Sequence, residues 1–199
     1  MKSTKRIAIL ISGSGSNMRA LVEDMLNDND YADPVIIISD RAEAKGLLYA
    51  KKMNIETRII DFKKISDKNK FEKNLITVIY NFNIDIICLA GFMTILSNSF
   101  LTQFEHSILN IHPSILPLFK GLNTHKKALN SGMAVHGATV HKVTEKLDSG
   151  QILGQAVVPI FKQDTEKSLA SRVLKLEHRL YPLVLRRFIN GDTDPILLI

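Results

Sequence analysis

The sequence predicts an α/β fold in which helices cover both faces of a mostly parallel sheet. Short apolar runs alternate with amphipathic segments through the first half of the 199-residue chain, which is the pattern of strands followed by helices. These runs are almost purely apolar, as in Ile84–Ala90, whereas strands exposed on one face would alternate apolar and polar residues. The pattern changes near Gly137, where alternation begins and indicates an antiparallel hairpin before a long last helix.

Four strands and three helices are predicted in the first hundred residues. The strands are 6–11, 35–39 (opened by Pro34), 57–60 and 84–90. The first helix follows residue 17 and has Leu21, Val22, Met25 and Leu26 as its apolar face. The second helix covers 42–53, and the third covers about 67–82, where Phe71, Leu75, Val78, Ile79 and Phe82 recur at helical spacing. A further strand is predicted over 107–109.

The second half is predicted to contain a hairpin and one long helix. Residues 137–143 and 151–160 form the antiparallel pair, and residues 144–150 connect them. Asp164 is the predicted N-cap of the last helix, which runs to about Ile189, and Pro182 is a candidate kink. The apolar face of this helix consists of Leu169, Val173, Leu176, Leu180 and Val184.

Composition narrows the class of ligand. The formal charge of +6 suits an anionic small ligand or nucleic acid. No run of Lys and Arg exceeds two residues and Trp is absent, so we predict a basic surface and no nucleic-acid partner. The single cysteine, Cys88, lies in an apolar run, cannot form an internal disulfide and is predicted to be buried.

The N-terminal apolar run is too short for a targeting segment. Only five apolar residues, Ile7–Ile11, follow each other there, fewer than a signal-peptide core requires. No stretch of the sequence approaches the length of a membrane span. We therefore predict a soluble, cytoplasmic protein without a membrane partner.

A glycine- and serine-rich loop, Ser12–Asn17, lies between the first strand and the first helix. Glycines let backbone N–H groups approach an anion closely, and the helix N-terminus adds partial positive charge, so a phosphate is the expected guest. A dinucleotide fingerprint would need a third glycine where Met18 stands, although Asp40 occupies the place of a ribose-binding acid. A mononucleotide or sugar phosphate fits the loop better, and a turn without a ligand remains open.

Asn110 and His112 end the strand that begins near residue 107. Residues two apart on a strand project to the same face, and Pro113 and Pro117 prevent the chain from continuing in a ladder or easily entering a helix. An amide donor beside an imidazole suits chemistry in which negative charge develops on an oxygen. The alternative is a pair of side chains that satisfy a turn.

Seven short motifs occur in order and span nearly the whole chain. They are Ile11–Asn17, Leu89–Ser97, Asn110–Pro117, Gly121–His125, His136–His141, Leu147–Gly150 and Glu177–Val184. In these motifs the sequence resembles the phosphoribosylglycinamide formyltransferases, the folate-dependent enzymes of purine synthesis. The resemblance implies a Rossmann-like fold. It also implies transfer of the formyl group of 10-formyltetrahydrofolate to the amine of glycinamide ribonucleotide, which gives formylglycinamide ribonucleotide and tetrahydrofolate.

The resemblance implies a catalytic trio of Asn110, His112 and Asp148. Asn110 would donate a hydrogen bond to the oxyanion of a tetrahedral intermediate, and protonated His112 would stabilise that oxyanion and protonate the departing folate nitrogen. Asp148 would hold His112 in place and favour its charged form. From the residues alone, Asp148 would be a turn residue before Ser149-Gly150.

The resemblance also implies two sets of binding residues. The ribonucleotide would contact Gly13, Ser14, Gly15, Ser16, Asn17 and Glu177. The folate would contact Lys68, Phe92, Met93, Thr94, Ile95, Leu96, Asn110 and Leu147. From the residues alone, Glu177 and Lys68 could equally be exposed helix residues. No cluster of His, Cys and carboxylates has ligand spacing, so no metal is expected.

The chain departs from the family pattern at Thr94, where an arginine is common, and at Asn123, where a histidine is frequent. We expect one formyltransferase domain over 1–199, with a phosphate-binding half to about 105 and a catalytic and folate-binding half from about 106. We expect small-molecule partners only, and a monomer or homodimer. A formyltetrahydrofolate hydrolase and a non-catalytic nucleotide-binding regulator are the alternative functions.

Overall fold

The structure, a computed structural model, describes residues 4–28, 30–104 and 107–199, which contain eight strands and seven helices. The strands are β1 Lys5–Ile11, β2 Ala32–Ser39, β3 Glu56–Ile59, β4 Ile86–Leu89, β5 Ile108–His112, β6 Val135–Lys142, β7 Ile152–Pro159 and β8 Ile196–Leu198. The helices are α1 Ser16–Asn27, α2 Gly46–Lys52, α3 Phe62–Ile65, α4 Lys68–Asn81, α5 Asn98–Gln103, α6 Thr124–Asn130 and α7 Glu166–Ile189.

The chain divides into two compact units, Met1–Leu109 and Asn110–Ile199. The boundary between halves predicted from the sequence falls on residues 105 and 106, which lie outside the described residues. The division occurs inside β5, so Asn110 and His112 belong to the second unit together with Asp148.

The first unit is built on parallel strands with a change of direction in their order. β1 pairs in parallel with β2 on one side and β4 on the other, and β2 pairs with β3, which gives the order β3-β2-β1-β4, followed by β5. The chain thus moves outward from β1 to β3 and then returns to the opposite side of β1. Ligands of open α/β sheets bind at such a switch point, beyond the carboxyl ends of the strands.

In the second unit the strands that follow β5 have the order β6-β7-β8. β6 and β7 are antiparallel, and β8 is parallel to β7. Helix α7 packs on these strands through a buried stripe of residues. The stripe contains Leu169, Val173, Leu180, Tyr181, Val184 and Leu185. A glycine is required in β6 because a Cβ on Gly137 would lie 1.7 Å from the carbonyl oxygen of Ala156.

The predicted fold class is confirmed, with differences at several element boundaries. β2 begins at Ala32, so Pro34 lies inside the strand and does not open it. The pairing of β2 with β3 starts only at Ile36, so the N–H group that Pro34 lacks is not needed on that side. Four elements were absent from the sequence prediction: α3, α5, α6 and β8.

The N-cap of α7 is Thr165 and not Asp164. The Thr165 hydroxyl accepts from the N–H of Ser168, and the Ser168 hydroxyl accepts from the N–H of Thr165. Asp164, the residue before the N-cap, instead accepts two hydrogen bonds from the Arg172 guanidinium, at 2.7 and 2.8 Å. Pro182 lies within α7, which is continuous to Ile189.

None of the helices in the described ranges combines the length and apolarity that a membrane span requires.

Candidate active site

His112, at the end of β5, has an oxygen atom facing each of its ring nitrogens. Its Nε2 lies 3.0 Å from the carbonyl oxygen of Phe119, and its Nδ1 lies 3.4 Å from Oδ2 of Asp148. A carbonyl oxygen only accepts hydrogen bonds, so Nε2 donates to Phe119. The His112 side chain is 8% exposed. A ring with a proton on each nitrogen satisfies both oxygens. This doubly protonated ring is the form that can donate a proton.

Asp148 lies in the loop between β6 and β7 and has a left-handed backbone conformation, with φ of 47°. Its Oδ2 accepts a hydrogen bond from the N–H of Gly121 at 2.9 Å, and its Oδ1 lies 3.8 Å from Nε2 of His141. The side chain is 7% exposed. The carboxylate therefore has a fixed position between two imidazoles, and it is more than a turn residue before Ser149.

His141 on β6 orients the amide of Asn110. Its Nδ1 lies 2.8 Å from the carbonyl oxygen of Lys142 and must donate to it, so the neutral ring presents Nε2 as an acceptor. Nδ2 of Asn110 lies 3.2 Å from that nitrogen and donates to it. Burial lowers the pKa of His141, with the nearby Lys142 carbonyl and Asp148 raising it in part, which favours this neutral form.

No role was predicted for His141 from the sequence, where it is the last residue of the family motif His136–His141. The side chain is buried, and the sequence signal for it is weak, because a histidine at a buried position of a strand is also typical of a core residue. The contact with Asn110 depends on which residues of β5 and β6 lie opposite each other, which the sequence does not reveal.

A second buried histidine, His136, lies outside this set of contacts. It is fully buried, and neither ring nitrogen has a hydrogen-bond partner among the described residues. Its ring contacts the rings of His125 and Phe119, with centroids 5.1 and 6.1 Å apart. Burial, and secondly the nearby His125, lower the pKa of His136 to about 4, although the Pro113 backbone opposes this shift.

We predict that His136 makes the protein sensitive to acid. Its pKa is near 6.5 when unfolded and about 4 when folded, so the unfolded chain binds more protons between these values. The stability contributed by neutral His136 should be fully present above pH 6.5. The free energy of unfolding should then fall by roughly 2–3 kcal/mol as the pH drops to 4. Urea unfolding between pH 4 and 7 measures this. His136→Phe, which cannot titrate, should remove that part of the pH dependence; an unchanged pH dependence would contradict the prediction.

The glycine-rich loop of the first unit connects β1 to α1. Gly15 precedes the helix with φ of 74°, a left-handed conformation, and no side chain caps the helix. A Cβ on Gly15 would lie 2.8 Å from the Cα of Gly46, so the loop packs directly against the backbone at the start of α2. Gly13 and Ser14 are exposed, Ser16 is half-buried and Asn17 is buried. The uncapped N–H groups of the first turn of α1 suit an anion.

The segment Phe92–Leu96, which follows β4, exposes alternate apolar side chains. Met93 is 54% exposed and Ile95 is 69% exposed, whereas Leu96 is buried. The hydroxyl of Thr94 donates to Oδ2 of Asp40 at 2.7 Å. Asp40 is only 3% exposed and already has this partner, which disfavours the ribose-binding role that its place at the end of β2 suggested.

The remaining predicted site residues occupy different environments. Glu177 on α7 is buried, which excludes its alternative interpretation as a solvated helix residue. Lys68 is exposed at the first position of α4, and Leu147 is 56% exposed. Asn123, one of the departures from the family pattern, precedes α6 in a left-handed conformation with φ of 60°, which asparagine tolerates well. The described part of the chain contains no group of three or more metal-ligating side chains.

Comparison with known proteins identifies the family. A family model described as formyl transferase matches residues 5–185. The chain belongs to the formyl transferase family. Among members of this family, phosphoribosylglycinamide formyltransferase of Escherichia coli (strain K12) is 38% identical over 185 residues, which cover 93% of this chain and 87% of that protein.

Two further relatives extend the comparison. A crystal structure of phosphoribosylglycinamide formyltransferase from Brucella melitensis has a TM-score of 0.90 and 48% identity, and the match covers 94% of this chain and 97% of that one. The trifunctional purine biosynthetic protein adenosine-3 of Homo sapiens is 43% identical over 193 residues, which are 97% of this chain but 19% of that protein. The chain thus spans less than a fifth of the trifunctional relatives. The resemblance to the phosphoribosylglycinamide formyltransferases is confirmed.

Proposed function

We propose that this formyl transferase family member transfers the formyl group of 10-formyltetrahydrofolate to the amine of glycinamide ribonucleotide, in purine synthesis. The observation that carries the proposal is the contact of His112 with Asp148, with the amide of Asn110 held by His141 beside the same carboxylate. These side chains supply two donors and one fixed negative charge, which suit an intermediate with an oxyanion.

The amine of the ribonucleotide attacks the formyl carbon, which forms a C–N bond and places negative charge on the formyl oxygen. Asn110 donates its free amide hydrogen to that oxygen, and the positive charge of protonated His112 stabilises it. The intermediate then breaks the bond from carbon to the folate nitrogen. His112 protonates that departing nitrogen and becomes neutral, and the proton that the attacking amine loses restores its charged form, so the products are formylglycinamide ribonucleotide and tetrahydrofolate.

Asp148 acts on this step through His112. Its carboxylate lies on the Nδ1 side of the ring while the Gly121 N–H fixes its orientation. Its negative charge lies next to the ring and gives Nδ1 an acceptor. We therefore assign Asp148 a positioning and electrostatic role, with no direct bond to the substrate.

We propose that the ribonucleotide phosphate binds the loop Gly13–Asn17. The loop follows β1 at the carboxyl end, at the position where the strand order changes direction, and it leads into the uncapped N-terminus of α1. We assign Glu177 to the glycinamide amine, since a buried carboxylate suits a cationic or hydrogen-bonding group.

We propose that the folate binds along Phe92–Leu96, Asn110 and Leu147, and that Lys68 attracts its glutamate tail. Within the first unit, the exposed side chains of Met93 and Ile95 offer apolar surface for a planar ring system. Lys68 is exposed and carries the positive charge that a carboxylate tail requires. We also propose a single formyltransferase domain that acts in the cytoplasm as a monomer or homodimer.

Formyl transfer from 10-formyltetrahydrofolate, followed by the absorbance of the folate product, tests the proposal. The assay is run with and without glycinamide ribonucleotide. Product that forms only with the ribonucleotide is the expected result. Product that forms without it would indicate a formyltetrahydrofolate hydrolase. Ribonucleotide binding without any product would indicate a non-catalytic regulator.

A further inference from the structure

The segment Gly91–Ser97 of the first unit exposes apolar side chains, although hydrogen bonds to buried side chains fix its position. Met93 and Ile95 are 54% and 69% exposed. An exposed apolar loop without such ties would be mobile, because few contacts oppose its conformational entropy. The contacts below the segment therefore decide whether it can present a fixed surface to a ligand.

Three buried polar side chains hold this segment: Ser12 after β1, Asp40 after β2 and Glu72 on α4. The N–H of Met93 donates to the Ser12 hydroxyl at 2.8 Å. The hydroxyl of Thr94 donates to Oδ2 of Asp40 at 2.7 Å. The N–H of Ser97 donates to Oε1 of Glu72 at 2.6 Å, and its hydroxyl donates to Oε2 of the same carboxylate.

These three acceptors are almost completely inaccessible to solvent. Ser12, Asp40 and Glu72 are 5%, 3% and 4% exposed. Hydrogen bonds to a buried carboxylate are stronger than neutral ones, and a carboxylate left without a partner in such a place is costly. The segment is thus fixed at its middle and at its end, and Ser12 also connects it to the loop that begins at Gly13.

We propose that Ser12, Asp40 and Glu72 are positioning residues for the folate, and that Thr94 acts through Asp40 rather than by contact with the folate. This inference rests on the proposed function, in which the folate binds along Phe92–Leu96, and it restricts the direct contacts there to residues other than Thr94. The three anchors keep the exposed faces of Met93 and Ile95 in a fixed arrangement, so that the folate does not have to order the segment when it binds.

The geometry around Thr94 carries the second part of the proposal. The Thr94 hydroxyl is engaged with Oδ2 of Asp40, and Oδ1 of Asp40 has no hydrogen-bond partner among the described residues. The Thr94 hydroxyl is thus the only donor that the described contacts give to this carboxylate. Its loss would leave a buried carboxylate with neither oxygen bonded, and the segment would move to let solvent reach it.

Thr94→Val tests the proposal because valine has the shape of threonine without the hydroxyl. We expect the KM for 10-formyltetrahydrofolate to rise by about threefold to tenfold, with kcat and the KM for the ribonucleotide nearly unchanged. Thr94→Ser, which keeps the hydroxyl, should restore the wild-type KM. Thr77→Val is the matched control, since the Thr77 hydroxyl donates to the Lys73 carbonyl on the exposed surface of α4; it should leave the folate KM unchanged.

A double variant separates action through Asp40 from direct contact. If Thr94 acts through Asp40, then Asp40→Ala and Thr94→Val each raise the folate KM, and the combined variant shows no further rise. A further rise in the double variant would mean that Thr94 contacts the folate, and would overturn the proposal. So would an unchanged folate KM in Thr94→Val. These outcomes are distinct from failure of the proposed function, which would appear as absent formyl transfer by the wild-type protein.

Discussion

Replacing His112 with alanine is expected to reduce formyl transfer by about 10²–10³-fold, which is the usual loss when one group that stabilises an oxyanion is removed. The effect should fall on kcat, because the charge of His112 is needed most when the oxyanion forms. The KM values for both substrates and the melting temperature should change little. Steady-state kinetics give kcat and both KM values, and the dissociation constant for tetrahydrofolate shows whether the folate still binds.

His112→Gln distinguishes the charge of the ring from its hydrogen bond. A glutamine amide can donate to the Phe119 carbonyl as Nε2 does, but it cannot carry a proton to the folate nitrogen. We expect the glutamine variant to lose nearly as much turnover as the alanine variant. Near-wild-type turnover of His112→Gln would show that a neutral hydrogen bond suffices, and would refute the assigned proton transfer.

Replacing Gly15 with alanine is expected to raise the KM for the ribonucleotide by about tenfold or more. Two costs act together: a left-handed conformation in a residue with a Cβ costs about 1–2 kcal/mol, and the Cβ would lie 2.8 Å from the Cα of Gly46. The side chain of Met18, 2.7 Å away, can move, but the Gly46 backbone cannot, so the loop must shift. A misplacement of about 1 Å at a substrate-positioning group can reduce the reaction rate by on the order of 10²-fold.

Gly132→Ala is the matched control for Gly15→Ala. Gly132 has φ of 73°, and a Cβ there would have no atom within 4 Å, so this variant carries the backbone strain without the clash. It should lower stability slightly and leave both KM values unchanged. The KM for 10-formyltetrahydrofolate should change little in Gly15→Ala. An equal rise in both KM values would argue against a phosphate site in this loop, and so would no rise at all.

The sequence predicted the fold class because the two hydrophobic patterns that define it are local. Continuous apolar runs marked the parallel strands, and the alternation from Gly137 marked the antiparallel pair. Boundaries that depend on neighbouring strands were less predictable. Pro34 is tolerated inside β2 because β3 pairs only from Ile36 onward and the pairing with β1 is irregular next to Pro34; both registers are set by tertiary packing.

In the candidate site, too, contacts within one strand were predictable from the sequence, whereas contacts between distant parts of the chain were not. Asn110 and His112 were predicted to act together from their spacing on one strand, and both lie on β5. Asp148 was indicated only by the family resemblance, and it lies 36 residues further along the chain yet 3.4 Å from His112. Nothing local to His141 distinguishes it from a core histidine; its contact with Asn110 exists only once β5 and β6 are folded.

The alternation along β5 limits how the gene for this protein can vary. Ile111 is buried between Asn110 and His112, which both join the hydrogen-bonded group around Asp148. Inserting or deleting one residue within Ile108–His112 would turn one of these polar groups to the opposite face and present an apolar side chain in its place. Point substitutions at Ile108, Leu109 or Ile111 preserve this order, so related genes should differ here in residue type and keep the length of the strand.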